Sequence, residues 1–355
     1  MSAQMDAKSW RVTGAELTEW LAGLLREGRR VIAPVATGGL RVFRPIESAE
    51  QVCFDAGKTR WSPKEFLFPK TETLFSYSVK GERVNIEPPA ADDTEQVIFG
   101  VRSCDAAGLG RLDRVFLGDV KDAHYAGRRK RSTIVSIACE SAGAECFCTA
   151  VGIGPGSSDG SDLQLFSTGD AWLVRPATEK GEAVAAALRS RPAPSPEEWA
   201  QARARVERVE TALGQSRVAR EWTAVLEQNF HLPLWQAVGQ RCLGCSICSY
   251  VCPSCSCFDV QDAGNAWCGD RCRSWDSCTF ALFTRHGSGH NPRGTQSDRF
   301  RQRVLHKFAY YPQQNGGEFM CVGCGRCVAM CPVGINIQSA VHQVVAAVQE
   351  GSDVR

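Results

Sequence analysis

The stretch Cys242–Pro253, "CLGCSICSYVCP", returns almost unchanged as "CVGCGRCVAMCP" at Cys321–Pro332. Both follow C-x2-C-x2-C-x3-C-P. A tight loop carrying three thiolates, each two residues from the next, wraps three corners of a cubane cluster. The fourth cysteine, on the helix that follows, points away and ligates the neighbouring cluster. One string suggests a cluster, and two strings close each other's coordination. The expected sets are Cys242, Cys245 and Cys248 with Cys331, and Cys321, Cys324 and Cys327 with Cys252. Zinc is the alternative metal, since paired C-x2-C units also build sites of four thiolates. Zinc ribbons, however, ask for two cysteines per knuckle, without a third and fourth at this spacing before a proline. The expectation is therefore two [4Fe–4S] clusters in one ferredoxin-type domain.

Whether so many thiols mean metal or disulfides depends on compartment. The chain has 355 residues and 18 cysteines. The segment from Met1 to Lys8 has no apolar core of a secretory leader, and no apolar run reaches transmembrane length. A chain of this kind is expected in a reducing cytoplasm, where close-set cysteines serve metal or redox chemistry. With 41 basic against 39 acidic residues, its net charge of +2 offers no global attraction to nucleic acid or an acidic membrane. The run Arg128–Arg131 is too short to alter this and reads as a solvated loop.

Residues 1–190 read as an α/β domain. Leu17, Trp20, Leu21, Leu24 and Leu25 recur with helical spacing within Ala15–Leu25, and short apolar runs of strand character follow at Val31–Val35, Val97–Val101, Thr133–Ile137 and Ala171–Val174. Strands separated by helical patterns favour a sheet covered by helices. The Pro-rich break Arg191–Pro196 opens a helical linker spanning 191–232. Within it Ser195 reads as an N-cap with Pro196 at the first helical position and acids in the first turn. Trp199, Ala202, Val206, Val209 and Leu213 give that helix one apolar face, which reads as docking on its own chain ahead of dimerisation. Residues 233–355 form the mainly helical, two-cluster ferredoxin-type domain. The fold class is thus α/β or α+β followed by that domain.

The chain resembles the iron–sulfur subunit family that includes the β subunit of cytoplasmic [NiFe] sulfhydrogenases and the A subunit of anaerobic sulfite reductase. The resemblance runs through "SPKEFLFPKTETLFSY", "VIFGVRSCDAAGLGRLDRVFL", "CESAGAECFCTAVGIGP", "CLGCSICSYVCPSCSCFDVQD", "RCRSWDSCTFALFTRHGSGHNPR", "RFRQRVLHKFAYYP" and "CVGCGRCVAMCPVGINI". It implies an electron-transfer subunit without substrate chemistry of its own. Such a subunit relays electrons between a flavoprotein partner that binds FAD and NAD(P) and a catalytic partner with a [NiFe] or sirohaem centre. The β subunit of an NAD(P)-linked sulfhydrogenase leads, and the corresponding iron–sulfur subunit of an anaerobic sulfite reductase is the alternative. The sequence agrees by omission, with no G-x-G-x-x-G after a strand and no P-loop. Gly152–Gly156 is glycine-rich but reads as a turn.

Further cysteines remain. Cys104, Cys139, Cys146 and Cys148 all fall after predicted strands, so they can converge at one edge of the sheet. They are candidates for a third [4Fe–4S] cluster, against a reading as buried thiols that behave as small hydrophobes; an N-terminal flavin site is a further reading. Cys255 and Cys257 read as packing around the clusters. Cys268, Cys272 and Cys278, with His286 and His290 nearby, read as structural thiols ahead of a small metal site. Cys53 stands alone. Arg271, Arg273, Arg285, Arg293, Arg299, Arg301, Arg303 and Lys307, interleaved with Trp275, Phe280, Phe283, Phe300 and Phe308, are expected around negatively charged clusters, in pairs with acids such as Asp276 and Asp298, and at subunit contacts. Nucleic acid is not expected as a partner.

Overall fold

The computed structural model describes residues 8–54, 57–90, 92–214 and 216–351. Residues 1–7, most of the segment read for a leader, lie outside the described residues. The chain divides into two compact units, each built from separated stretches. The first is Met1–Pro63, Asp93–Arg217 and Val322–Gly325; the second is Lys64–Asp92, Val218–Cys321 and Arg326–Arg355. The helix Pro196–Leu213 of the expected linker belongs to the first unit and the helix Trp222–Gln228 to the second. Among the described residues no helix is long and apolar enough to cross a membrane.

In chain order the strands are β1 (Trp10–Thr13), β2 (Arg30–Thr37), β3 (Leu40–Pro45), β4 (Thr71–Lys80), β5 (Arg83–Glu87), β6 (Gln96–Arg102), β7 (Ser132–Ile137), β8 (Leu163–Ser167), β9 (Ala171–Pro176), β10 (Phe258–Gly264) and β11 (Cys268–Trp275). The first unit holds a seven-stranded sheet in the order β1-β9-β8-β7-β6-β2-β3. Its centre, β2, β6, β7 and β8, is parallel, and the outer strands are antiparallel. Every residue of β6, β7 and β8 is buried, as expected for strands covered on both faces. Helix Gly14–Arg26 packs Leu17, Trp20, Leu21 and Leu24 against Val31, Val97, Phe99, Val135 and Leu165. The Trp20 and Phe99 rings meet edge-on at 6.3 Å.

Pro34 sits inside β2, where a missing N–H should interrupt the ladder. The β2–β6 pairing stops at Ile32 and Ile98. Gly100 then takes φ +76, and the register between β6 and β7 shifts there. A Cβ at Gly100 would lie 2.8 Å from the Pro34 ring, so the bulge makes room for the proline.

The helix Pro196–Leu213 starts as its sequence predicts, with Ser195 and Glu198 forming a capping box and proline in the first turn. Trp199 and Ala202 are buried against Ala138, Phe166 and Leu173, so the helix docks on its own unit. The basic run Arg128–Arg131 is not a loop. It forms the last turn of helix Ala123–Arg131, where positive charge opposes the helix dipole, and Arg129 Nε bonds Asp113 Oδ2 at 2.9 Å. Gly152 caps a short 3-10 turn in the left-handed conformation, so the glycine-rich stretch is a turn.

The second unit is helical and also contains a four-stranded antiparallel sheet, β10-β11-β4-β5. Half of that sheet, the β4–β5 hairpin, comes from the N-terminal part of the chain. On facing positions of β11 and β4 the buried Arg273 bonds Glu72, Nε to Oε1 at 3.0 Å. The helix Gln296–Leu305 opens on a Thr295–Asp298 capping box and runs into a π-helical segment, His306–Tyr310.

Replacing Trp199 by Ala removes a buried ring and is expected to cost about 3–5 kcal/mol. Ser195→Ala removes only the cap and is expected to cost about 1 kcal/mol. Urea denaturation checks both, and equal losses would contradict the docking of this helix.

Candidate metal centre

Each cysteine string must bend its backbone around whatever it holds. In the first string Gly244 has φ +67 and Ser246 φ +62; in the second Gly323 has φ +62 and Gly325 φ +71. The left-handed positions are therefore the second and fourth residues after the first cysteine of each string. The repeat in sequence is a repeat in conformation. Among the described residues Ser246 is the one non-glycine with positive φ. It is held by a hydrogen bond between its hydroxyl and that of Thr279 at 2.8 Å. A buried hydroxyl chain continues through Ser277, 3.0 Å from Thr279, to Ser249, 2.9 Å further. This chain ties the first string to Ser277–Thr279.

Within the second unit, Cys242, Cys245 and Cys248 line one cavity together with Cys327 and Cys331. The fourth cysteine of the second string thus faces the three loop cysteines of the first. Gln296 Nε2 approaches Cys242 Sγ at 3.2 Å, and the Ile335 amide donates to Cys331 Sγ at 3.2 Å. Among the described residues no three His, Cys, Asp or Glu side chains converge on a single metal ion. A cubane offers a separate iron to each thiolate, so its ligands stand further apart than those of one ion. Cys252 and Cys321 lie in the second unit with Cys327, and Cys324 is assigned to the first.

Of the cations buried near these thiols, Lys64, Arg303 and Lys307 are 2%, 4% and 3% exposed. Arg303 and Lys307 stand four residues apart on one helical run. Arg303 donates to Cys248 O at 2.9 Å and lies 3.6 Å from Cys255 Sγ. Lys307 Nζ lies 3.5 Å from Cys252 Sγ and 3.2 Å from Ser254 Oγ. Lys64 donates to Ser249 O and Cys255 O, each at 3.1 Å, beneath the Trp275 ring. Burial opposes the charge on Lys307, but its nearness to Cys252 and Cys255 outweighs this and raises its pKa. Cys252 takes a hydrogen bond from Cys255, and with Lys307 and Arg303 beside it is held well below the usual thiol range. His306 is pushed down to about 4, by burial first and then by Lys307 and nearby arginines.

The other expected groups separate. Cys255 and Cys278 are buried, and a hydrogen bond with Cys278 lowers the pKa of Cys257. Cys268 is exposed and Cys272 half-buried on β11. The rings of His286 and His290 pack edge-on at 5.3 Å. Cys53 is half-buried. Of the basic set, Arg271 pairs with Asp262 and Arg301 with Asp298, whereas Asp276 accepts from the Ser277 amide. Lys64, Gln296 and the hydroxyl chain were not singled out from sequence. Lys64 lies in "SPKEFLFPK", far from the strings in the chain, and only folding reveals its place.

The family model for a 4Fe-4S dicluster domain matches residues 241–335, which makes this an iron–sulfur protein. The chain belongs to the family of iron–sulfur subunits that includes the sulfhydrogenase β subunits. It is 32% identical over 322 residues to sulfhydrogenase 2 subunit beta of Pyrococcus furiosus, covering 90% of this chain and 93% of that relative. No solved structure matches it.

Gly244→Ala and Gly323→Ala both place a side chain at a left-handed position, a cost of about 1–2 kcal/mol. At Gly244 the nearest atom is the end of the Gln296 side chain at 3.1 Å, whereas at Gly323 the new Cβ meets Cys148 backbone at 2.5 Å. Gly323→Ala is expected to lower the urea midpoint much further than Gly244→Ala. Equal midpoints would contradict the close packing at Gly323.

Proposed function

We propose that this chain is the electron-transfer subunit of a cytoplasmic multisubunit oxidoreductase, the β subunit of an NAD(P)-linked sulfhydrogenase, and that its dicluster domain holds two [4Fe–4S] clusters. The observation that carries this reading is the cavity in which Cys331, beside Cys327, meets Cys242, Cys245 and Cys248, since it contains the crossed ligand set expected from the two strings. By the same motif, Cys321, Cys324 and Cys327 with Cys252 hold the other cluster. The name and near-complete coverage of the Pyrococcus relative support the hydrogenase assignment. The donor set fits the group: thiols in a cavity, left-handed loop residues that bring backbone close, and buried cations against negative charge. Bound clusters supply one-electron oxidation and reduction, which lets such a chain join a two-electron flavin to a distant centre.

This chain's residues have the supporting tasks. Arg303 and Lys307 offset the negative charge of the thiolates. The Ile335 amide and Gln296 donate toward ligand sulfurs, an arrangement that tunes reduction potential. The proposed partners are a flavoprotein, which exchanges electrons with NAD(P)H, and a catalytic subunit. Co-purification of the native complex identifies the latter: nickel supports the hydrogenase assignment, and sirohaem overturns it in favour of a sulfite reductase.

Crossed ligation makes pairs of variants alike. Cys331→Ala is expected to remove the same EPR signal as Cys245→Ala, and Cys252→Ala the same signal as Cys324→Ala. If Cys331→Ala instead matches Cys324→Ala, the ligands are not crossed.

A further inference from the structure

The first unit contains a second gathering of thiols. β6 and β7 are parallel neighbours, so the chain leaves both at the same edge of the sheet. Cys104 lies in the first turn of helix Ser103–Phe116, which follows β6 directly. Cys139 lies just beyond the end of β7, where its amide donates to Pro155 O at 3.0 Å. The loop after it returns Cys146 and Cys148 to the same place. All four thiols line one cavity of about 190 Å³ at the carboxyl ends of these strands, with Gly323 and Cys324 of the second string also on its wall; this is the edge at which open α/β sheets bind their ligands.

The cavity is also cationic. The buried Arg102 and the half-buried Lys58 line it, and Lys58 Nζ lies 3.4 Å from Cys146 Sγ. Two cations facing these thiols suit a metal cluster that, together with its thiolate ligands, carries net negative charge. By themselves Cys139 and Cys148 are costly to ionise. Burial, followed by the nearness of Cys139 and Cys146, pushes Cys148 up to about 12.

The backbone beneath the cavity is fixed to the second cysteine string. The Phe147 amide donates to Gly323 O at 2.9 Å, and Lys58 Nζ also donates to Cys324 O. A Cβ on Gly325 would strike Glu145 O at 2.2 Å. Gly323 and Gly325 therefore fit closely against Glu145–Cys148, so this thiol cavity adjoins the loop that bears Cys324.

We infer that Cys104, Cys139, Cys146 and Cys148 bind a third [4Fe–4S] cluster, with Lys58 and Arg102 as its counter-cations and the Cys324 loop as its neighbour. The four thiols lie outside the two ferredoxin strings, although Gly323 and Cys324 of the second string also line the cavity, so the inference goes beyond the relay reading and can fail without it.

Iron counting and EPR on the full chain, purified anaerobically, test the assignment. Each cubane holds four irons, so about twelve per chain are expected with this site and about eight without it. Cys139→Ser with Cys146→Ser is expected to lower the count to about eight and leave both dicluster signals intact. If that variant does not fold, the wild-type count still decides. About eight irons in the wild type, or eight irons with one zinc per chain, overturns the third cluster while leaving the relay reading in place. Loss of a dicluster signal in the folded variant overturns the assignment of these cysteines. A wild-type chain with fewer than eight irons and no paired signals overturns the relay reading instead.

Discussion

Burying Arg303, Lys307 and Lys64 in one unit is the constraint on which its interior depends. A cation taken from water into a protein core costs several kcal/mol unless opposite charge and hydrogen bonds meet it. Here those partners are Cys248 O, Cys252, Ser254 and Cys255, together with the backbone carbonyl of Ser249. Neutral thiols are poor compensation. Thiolates ligated to iron are good compensation, because metal binding keeps them deprotonated. Cation burial and cluster binding thus require one another in the proposed reading.

The helix that carries two of these cations is made accordingly. Thr295 and Asp298 cap its start, and its buried face combines Phe300, Val304 and Leu305 with Arg303. The π-helical segment after Leu305 contains Lys307, and widened turns of this kind recur at functional sites. The string it faces is stiffened from the other side by the hydroxyl chain from Ser246 to Ser249. Backbone conformation, hydroxyl network and charge all act on the same short loop.

Much of this was legible in the sequence because it is local. The first helix, the strands β2, β6, β7 and β9, the Ser195 cap and both cysteine strings rest on periodicity, capping residues and spacing, which are read within a few residues. What escaped was long-range or context-dependent. The short strands β1, β3 and β8 carry little pattern of their own. The β4–β5 hairpin joins β11 across most of the chain, and no local signal announces that partner. Arg128–Arg131 was read as a solvated loop because charge dominates it, yet its position at a helix end and the Asp113 pairing give it structure. The cysteines after β6 and β7 pointed to a shared sheet edge, but their common cavity required the parallel pairing of those strands.

An EPR-monitored redox titration of the full chain beside its Lys307→Met variant tests the charge coupling most directly. Two reversible one-electron [4Fe–4S] signals are predicted from the dicluster domain. In the variant, the signal that Cys252 supports moves to more negative potential, by ~59 mV for each ~1.4 kcal/mol of lost attraction in a one-electron couple. A potential unmoved by the loss of Lys307 would contradict the coupling between the buried cations and the clusters, and the absence of paired reducible signals would contradict the relay itself.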